Sequence, residues 1–321
     1  MNSYKNNTAS ALVLMLASLF LFGFTKDTAR LHVIDVKKVA DLHAVFKYNG
    51  HRAPFISAHR GGSLPGFPEN SIATYENTLK NTYAIIELDP RYTKDSAMVI
   101  HHDPTLGRTV EGKGNVIDYT LAELRKMKLK DSRGSVTDYH MPTFDEVLEW
   151  AKGRTILVID QKDVSAKERL RKTEEHNCVQ NVILIVYSFE DAKLCYSLNK
   201  DIVMEVMIPN EEKVLEFDKT GVPWKNVVAF VGHNLPDNPA LYKMIHDRGA
   251  LCMAGSSRNV DLKFLRNQVS DFSMLKNEYM DFFTKGIDLI ETDVPVNLGP
   301  LVNPAVPADH PVKKYFREKS I

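Results

Sequence analysis

Short runs of apolar and β-branched residues recur along the chain at 55–59, 85–91, 156–160, 182–186, 202–208, 227–231, 251–254 and 288–292. They are too short for helices and lack the strict alternation of a strand with one wet face, which predicts strands buried on both sides. Between several of them the apolar spacing lengthens to that of amphipathic helices, over 71–81, 166–176, 189–198, 211–219 and 238–248. Thr143-x-x-Glu146 adds a capping box ahead of Val147, Leu148 and Trp150. Eight buried strands interleaved with helices predict an α/β fold, a (β/α)8 TIM barrel, over 53–302. No Gly-x-Gly-x-x-Gly opens a helix after the first strand and no Gly-Lys-Ser/Thr loop occurs, which argues against an open nucleotide-binding sheet.

One interval breaks the rhythm. Residues 104–142 are rich in Gly, Lys, Asp and Thr and carry only a short amphipathic piece at 121–129, so they predict a small insertion after the second strand, placed over the active face. A second irregular stretch, 255–279, predicts a helix around 264–280. Residues 26–52 predict a lead-in helix and 303–321 a loosely held basic C-terminal tail. Ahead of these, Lys5 and the apolar run 11–24 read as a signal peptide or N-terminal anchor over 1–25, because the run is short for a spanning helix. The expectation is an exported protein, periplasmic or extracellular, with membrane proximity through that segment.

Composition narrows the partners. Acidic and basic residues balance at 41 each, with no basic excess to suggest a nucleic-acid partner. Cys178, Cys195 and Cys252 are too few and too scattered for a disulfide framework or a zinc site, and read as buried thiols.

The candidate chemistry lies at strand ends. In a parallel barrel the carboxyl ends of all strands meet on one face, which gathers His59 and Arg60, Glu87 and Asp89, and Asp160 and Lys162. Glu87 and Asp89, two apart on one strand, point the same way and suit a hard cation bound through oxygen. Histidine titrates near neutrality and suits proton transfer in either direction. His101 points away from its neighbour His102 and reads as structural, and His233, after the sixth strand, reads most simply as a surface or core-edge residue, with the pocket as the alternative.

In this order and spacing, His59-Arg60-Gly61, Pro68-Glu69-Asn70, Glu87-x-Asp89, Thr93-Lys94-Asp95, His102-Asp103, Leu106, Arg108-Thr109, Met141-Pro142-Thr143, Ser188-Phe189, Gly286-Ile287-Asp288 and Thr292-Asp293-x-Pro295 resemble the glycerophosphodiester phosphodiesterases. The resemblance runs from about Pro54 to Pro300. It implies a barrel that cleaves glycerophosphodiesters to sn-glycerol 3-phosphate and an alcohol with one divalent cation, Ca²⁺ or Mg²⁺. It assigns Glu87, Asp89 and Asp160 to the metal, His59 and His102 to general acid and base without saying which is which, and Arg60 and Lys162 to the phosphate. Two positions depart from the family pattern. Asp160 stands where glutamate is more usual, and Ala254-Gly255-Ser256-Ser257 replaces a Trp-Thr that would give the pocket an aromatic wall. The other readings are a related barrel phosphodiesterase acting on lysophospholipids or phosphoinositides, the His-Arg-Gly opening speaking more against the latter, and a catalytically weak binder of phosphate esters.

Overall fold

The computed structural model describes residues 30–51, 53–235 and 237–320. The apolar run expected to be a leader or anchor lies outside them. Eight strands close a parallel barrel: β1 (Phe55–Ala58), β2 (Ile85–Leu88), β3 (Leu157–Ile159), β4 (Val182–Val186), β5 (Val203–Met207), β6 (Val227–Gly232), β7 (Leu251–Gly255) and β8 (Leu289–Thr292). Each corresponds to one of the eight apolar runs. Alternate residues fill the interior, among them Phe55, Ile85, Val158, Ile183, Val203, Val228 and Leu289. The opposite strand faces pack against the outer helices, which is why the runs show no hydrophobic alternation.

The helices begin where their caps dictate. Ser71 Oγ accepts from Thr74 N–H ahead of Ile72–Asn81, and the Thr143–Glu146 box opens Phe144–Ala151. Ser188 and Asn210 cap Phe189–Leu198 and Glu211–Asp218 in the same way. The loops and caps that follow the barrel strands form the rim of one face.

The interval after β2 is an excursion with its own small core of Val99, Leu106, Val110, Val116, Leu124, Leu129 and Met141. It carries two short antiparallel ribbons, Pro90–Tyr92 with Met98–Ile100 and Lys128–Lys130 with Val136–His140. The expected strand 85–91 therefore ends earlier than its residue pattern suggested. Its backbone leaves the barrel at Asp89, and Pro90 opens the first ribbon.

Three further expectations are corrected. Where a lead-in helix was expected over 26–52, the described residues form a strand, Arg30–Ile34, and a short helix, Val39–Val45. Where a loose tail was expected, Phe316–Ser320 pairs antiparallel with Arg30–Ile34. Local periodicity cannot show a ribbon whose two strands come from opposite ends of the chain. Ile34, Leu42, Phe46, Val306 and Tyr315 join the interior cluster and seal the amino end of the barrel. The third is the helix expected over 264–280, which divides into Val260–Leu265 and Lys276–Lys285, with Asn267 in the left-handed region (φ 55°) between them. All three cysteines are buried.

Candidate active site

Glu87, Asp89 and Asp160 converge at the carboxyl end of the barrel, with ligand oxygens all within 4.8 Å of one another. They are 2%, 0% and 6% exposed, so three acids are buried side by side. Asp160 follows β3, and its N–H donates to Leu88 O across the β2–β3 seam (2.9 Å). Asp89 is gripped by Asn70, whose Nδ2 donates to Asp89 Oδ2 at 2.6 Å. Asn70 itself adopts φ 58° and donates its N–H to Arg60 O at 2.9 Å, tying the Pro68-Glu69-Asn70 turn to the His59 turn.

The electrostatics fit a hard divalent cation. Burial and the neighbouring Asp89 push the Glu87 carboxyl well above the usual range. Burial also works against an ionised Asp89, but Lys162, His102 and Arg60 outweigh it and hold that carboxyl below its ordinary value. Lys162 Nζ stands 3.0 Å from Asp89 Oδ1 and contacts Asp160, so its ammonium partly neutralises the trio. Arg60 N–H donates to Glu87 Oε2 at 2.8 Å, and Tyr187 O–H donates to Asp160 Oδ1 at 2.6 Å. An all-oxygen, anionic and preformed donor set of this kind favours Ca²⁺ or Mg²⁺ over softer metals.

His59 opens a tight turn at the end of β1. Arg60, Gly61 and Gly62 all have positive φ, of 53°, 83° and 83°. A Cβ on Gly61 would lie 2.4 Å from Tyr75 Cδ1, and one on Gly62 would lie 2.1 Å from Pro295 Cγ. The glycines thus let the turn lie flat on its neighbours and aim His59 and Arg60 at the cavity. His59 Nδ1–H donates to Asp293 Oδ1 at 2.6 Å. Asp293 is positioned in turn by buried Asp261, which accepts from Asp293 N–H at 2.7 Å and from Tyr279 O–H at 2.6 Å. Burial alone would lower the His59 pKa, but the bond to Asp293 and the charges of Glu291 and Glu87 overcome it and raise the value to about 10.

His102 is the contrasting case. Its Nδ1 lies 2.8 Å from Asp103 Oδ1, and its backbone carbonyl accepts from Arg91 Nη2 at 2.6 Å. Burial nevertheless dominates and leaves its pKa below the ordinary histidine value. Asp103, Arg108, Glu69 and Arg60 form a chain of ion pairs at 2.6, 2.7 and 3.2 Å that joins the excursion to the β1 turn.

The structure brings all seven expected residues to one site: His59, Arg60, Glu87, His102, Asp160 and Lys162 line a cavity of about 340 Å³, and Asp89 lies just beneath it. His233 joins them, while His101 is buried against Thr105 O. The wall expected to lack an aromatic is filled from β6 instead. A Cβ at Gly255 would lie 2.3 Å from His233 Nδ1, and the His233 ring packs edge-on to Phe230 with centroids 5.1 Å apart. Sequence reading missed Tyr187, Glu205 and Glu291, which also line the cavity. An acid inside an apolar strand run was the available signal for the last two.

Comparison with known proteins places this arrangement. The sequence pattern of the glycerophosphoryl diester phosphodiesterase family matches residues 59–254, more than half of the chain. A glycerophosphoryl diester phosphodiesterase of known structure from Parabacteroides distasonis is 33% identical, superposes with a TM-score of 0.84, and is covered over 100% of its length by 91% of this chain. The glycerophosphodiester phosphodiesterase of Caldanaerobacter subterraneus is 35% identical over 43% of this chain, a stretch spanning 61% of that protein. An Oleispira antarctica phosphodiesterase solved with its product sn-glycerol 3-phosphate shares the fold at 18% identity and a TM-score of 0.58, covering 78% of this chain and 97% of its own. The turn, the carboxylate trio, the two histidines and these matches together establish that the chain belongs to the glycerophosphoryl diester phosphodiesterase family.

Proposed function

We propose that this protein hydrolyses glycerophosphodiesters to sn-glycerol 3-phosphate and an alcohol, with Glu87, Asp89 and Asp160 holding one divalent cation and His59 and His102 dividing the proton transfers. The observation that carries the reading is the contrast between two histidines of one cavity, His59 with its pKa raised to about 10 and His102 with its pKa lowered. At neutral pH His59 is an imidazolium and donates to the leaving alkoxide. His102 is neutral and accepts the proton of the attacking hydroxyl, whether water or the glycerol itself. Asp293 and Asp103 hold the two rings through Nδ1 and leave each Nε2 to the substrate. Arg60 and Lys162 line the same wall and offer N–H donors to the phosphoryl oxygens, where negative charge grows in the transition state. When bound, the cation adds Lewis-acid stabilisation of that charge.

The test is to strip the protein of metal and incubate it with glycerophosphocholine, glycerophosphoethanolamine and a lysophospholipid, with and without Ca²⁺ or Mg²⁺. Absence of metal-dependent alcohol release from all of them refutes the proposal. His59→Ala and His102→Ala should each lose about 10²- to 10⁴-fold in turnover with the fold retained.

A second reading, turnover of a lysophospholipid, draws on a groove of about 850 Å³ that shares His59, Arg60 and Asp293 with the cavity and adds Leu64, Phe264 and Leu265. Activity on the lysophospholipid alone would favour it. Export remains part of the proposal on the strength of the apolar run 11–24, and fractionation of expressing cells tests it.

A further inference from the structure

Two acids of the cavity make no contact in the chemistry above, although the charge of Glu291 helps to raise the His59 pKa. Glu205 lies in β5 and Glu291 in β8, each two residues beyond an interior apolar side chain, Val203 and Leu289, so both point up from the floor of the barrel. They are 2% and 5% exposed and line the catalytic cavity. No hydrogen bond reaches either carboxylate among the described residues, and Glu205 Oε2 is wholly enclosed without a partner. Ser57, register partner of Glu291 in β1, is likewise buried with an unpartnered Oγ.

The cations of the cavity are committed elsewhere. Arg60 pairs with Glu69 at 3.2 Å, Lys162 pairs with Asp89 at 3.0 Å and with Asp160, and His59 pairs with Asp293 at 2.6 Å. Arg258 lines the wall but forms no ion pair with either glutamate. Buried carboxylates without partners are costly, and a protein keeps them at the floor of a substrate cavity when a ligand supplies the missing charge and donors. A metal ion suits them less well, because neither glutamate belongs to a compact group of ligand atoms among the described residues.

We infer that Glu205 and Glu291 bind a primary ammonium carried by the alcohol half of the substrate. An ammonium brings one positive charge and three N–H donors, enough for both carboxylates. In an aminoethyl ester a two-carbon tether separates the ester oxygen from the nitrogen, so phosphorus and ammonium fit within one small cavity. A trimethylammonium carries charge but no N–H donor, and a neutral polyol carries donors but no charge. The expected order is therefore ethanolamine, then choline, then glycerol as headgroup. Burial raises the pKa of both acids, helped by Glu291 at Glu205 and by Asp293 at Glu291, so neither charge is stabilised by the empty floor.

The inference rests on the hydrolytic reading above and is tested beside it. With the metal-loaded full chain, kcat/KM is measured for glycerophosphoethanolamine, glycerophosphocholine and glycerophosphoglycerol in the wild type, Glu205→Gln and Glu291→Gln. The wild type should favour ethanolamine over glycerol by about tenfold or more, and each variant should reduce that ratio about tenfold, chiefly through KM for the amine. The glutamine variants remove a buried charge while keeping shape, and should melt no lower than the wild type in the absence of substrate. A wild-type ratio near one, or a ratio unchanged in both variants, overturns the inference while leaving hydrolysis intact. No turnover of any diester by the wild type overturns both.

Discussion

Replacing Asp293 by Asn keeps an oxygen opposite His59 Nδ1 and removes its charge. The contact is 2.6 Å long, with the histidine side chain 21% and the aspartate 32% exposed, so it is shielded from water without being sealed. The His59 pKa rises from 6.5 to about 10, and among the groups that raise it the bond to Asp293 comes first, ahead of Glu291 and Glu87. A charge-assisted hydrogen bond of about 1.5–3 kcal/mol corresponds to one to two pH units in the titration of the imidazolium. In the metal-loaded enzyme the cation offsets Glu87, so the basic limb of kcat/KM should fall below pH 10 even in the wild type. The variant should move that limb a further one to two pH units downward. At pH 7 enough imidazolium remains that the loss is modest, about tenfold or less, whereas near pH 9 the variant should be severely impaired. The assay is the pH profile of kcat/KM at saturating Ca²⁺ or Mg²⁺ for both proteins. A basic limb that does not move would refute His59 as the donor held by Asp293.

The same bond affects stability. Because the folded pKa of His59 lies above its unfolded value of 6.5, its stabilisation is complete below pH 6.5 and is lost as the pH rises toward about 10. Thermal melts of Asp293→Asn should therefore fall further below the wild type at pH 6 than at pH 10. Metal should raise the melting temperature of the wild type, and Glu87→Gln should abolish most of that rise and cost about 10³-fold in turnover; an undiminished rise would place the cation elsewhere. Gly61→Ala combines a left-handed backbone with a Cβ 2.4 Å from Tyr75, and should destabilise by about 2–4 kcal/mol in urea titration.

Much of this architecture was written locally. The eight strands are continuous apolar runs because both faces of each are covered, and Thr143 announced its helix through a capping box made within four residues. Six of the seven expected site residues were recognisable because strand ends must meet on one face of a parallel barrel, whereas His102, in the excursion, was reached through the family resemblance. What escaped depended on distant partners. The ribbon of Arg30–Ile34 and Phe316–Ser320 joins the two ends of the chain, and neither segment has a strong pattern alone. Glu205 and Glu291 were absorbed into their strands, since an acid within an apolar run gains meaning only when the opposing wall is known. Asp293 was visible as part of a motif, but its bond to a histidine far back in the sequence was not.

That ribbon also decides how the molecule faces its surroundings. His32 lies against Leu79 O and Ile34 N–H bonds to Arg154 O, so the first described strand runs along the sealed end of the barrel, opposite the cavity. The ribbon therefore leaves the mouth of the cavity clear, so a diester approaching that face meets the excursion and the strand-end loops and not the paired strands Arg30–Ile34 and Phe316–Ser320.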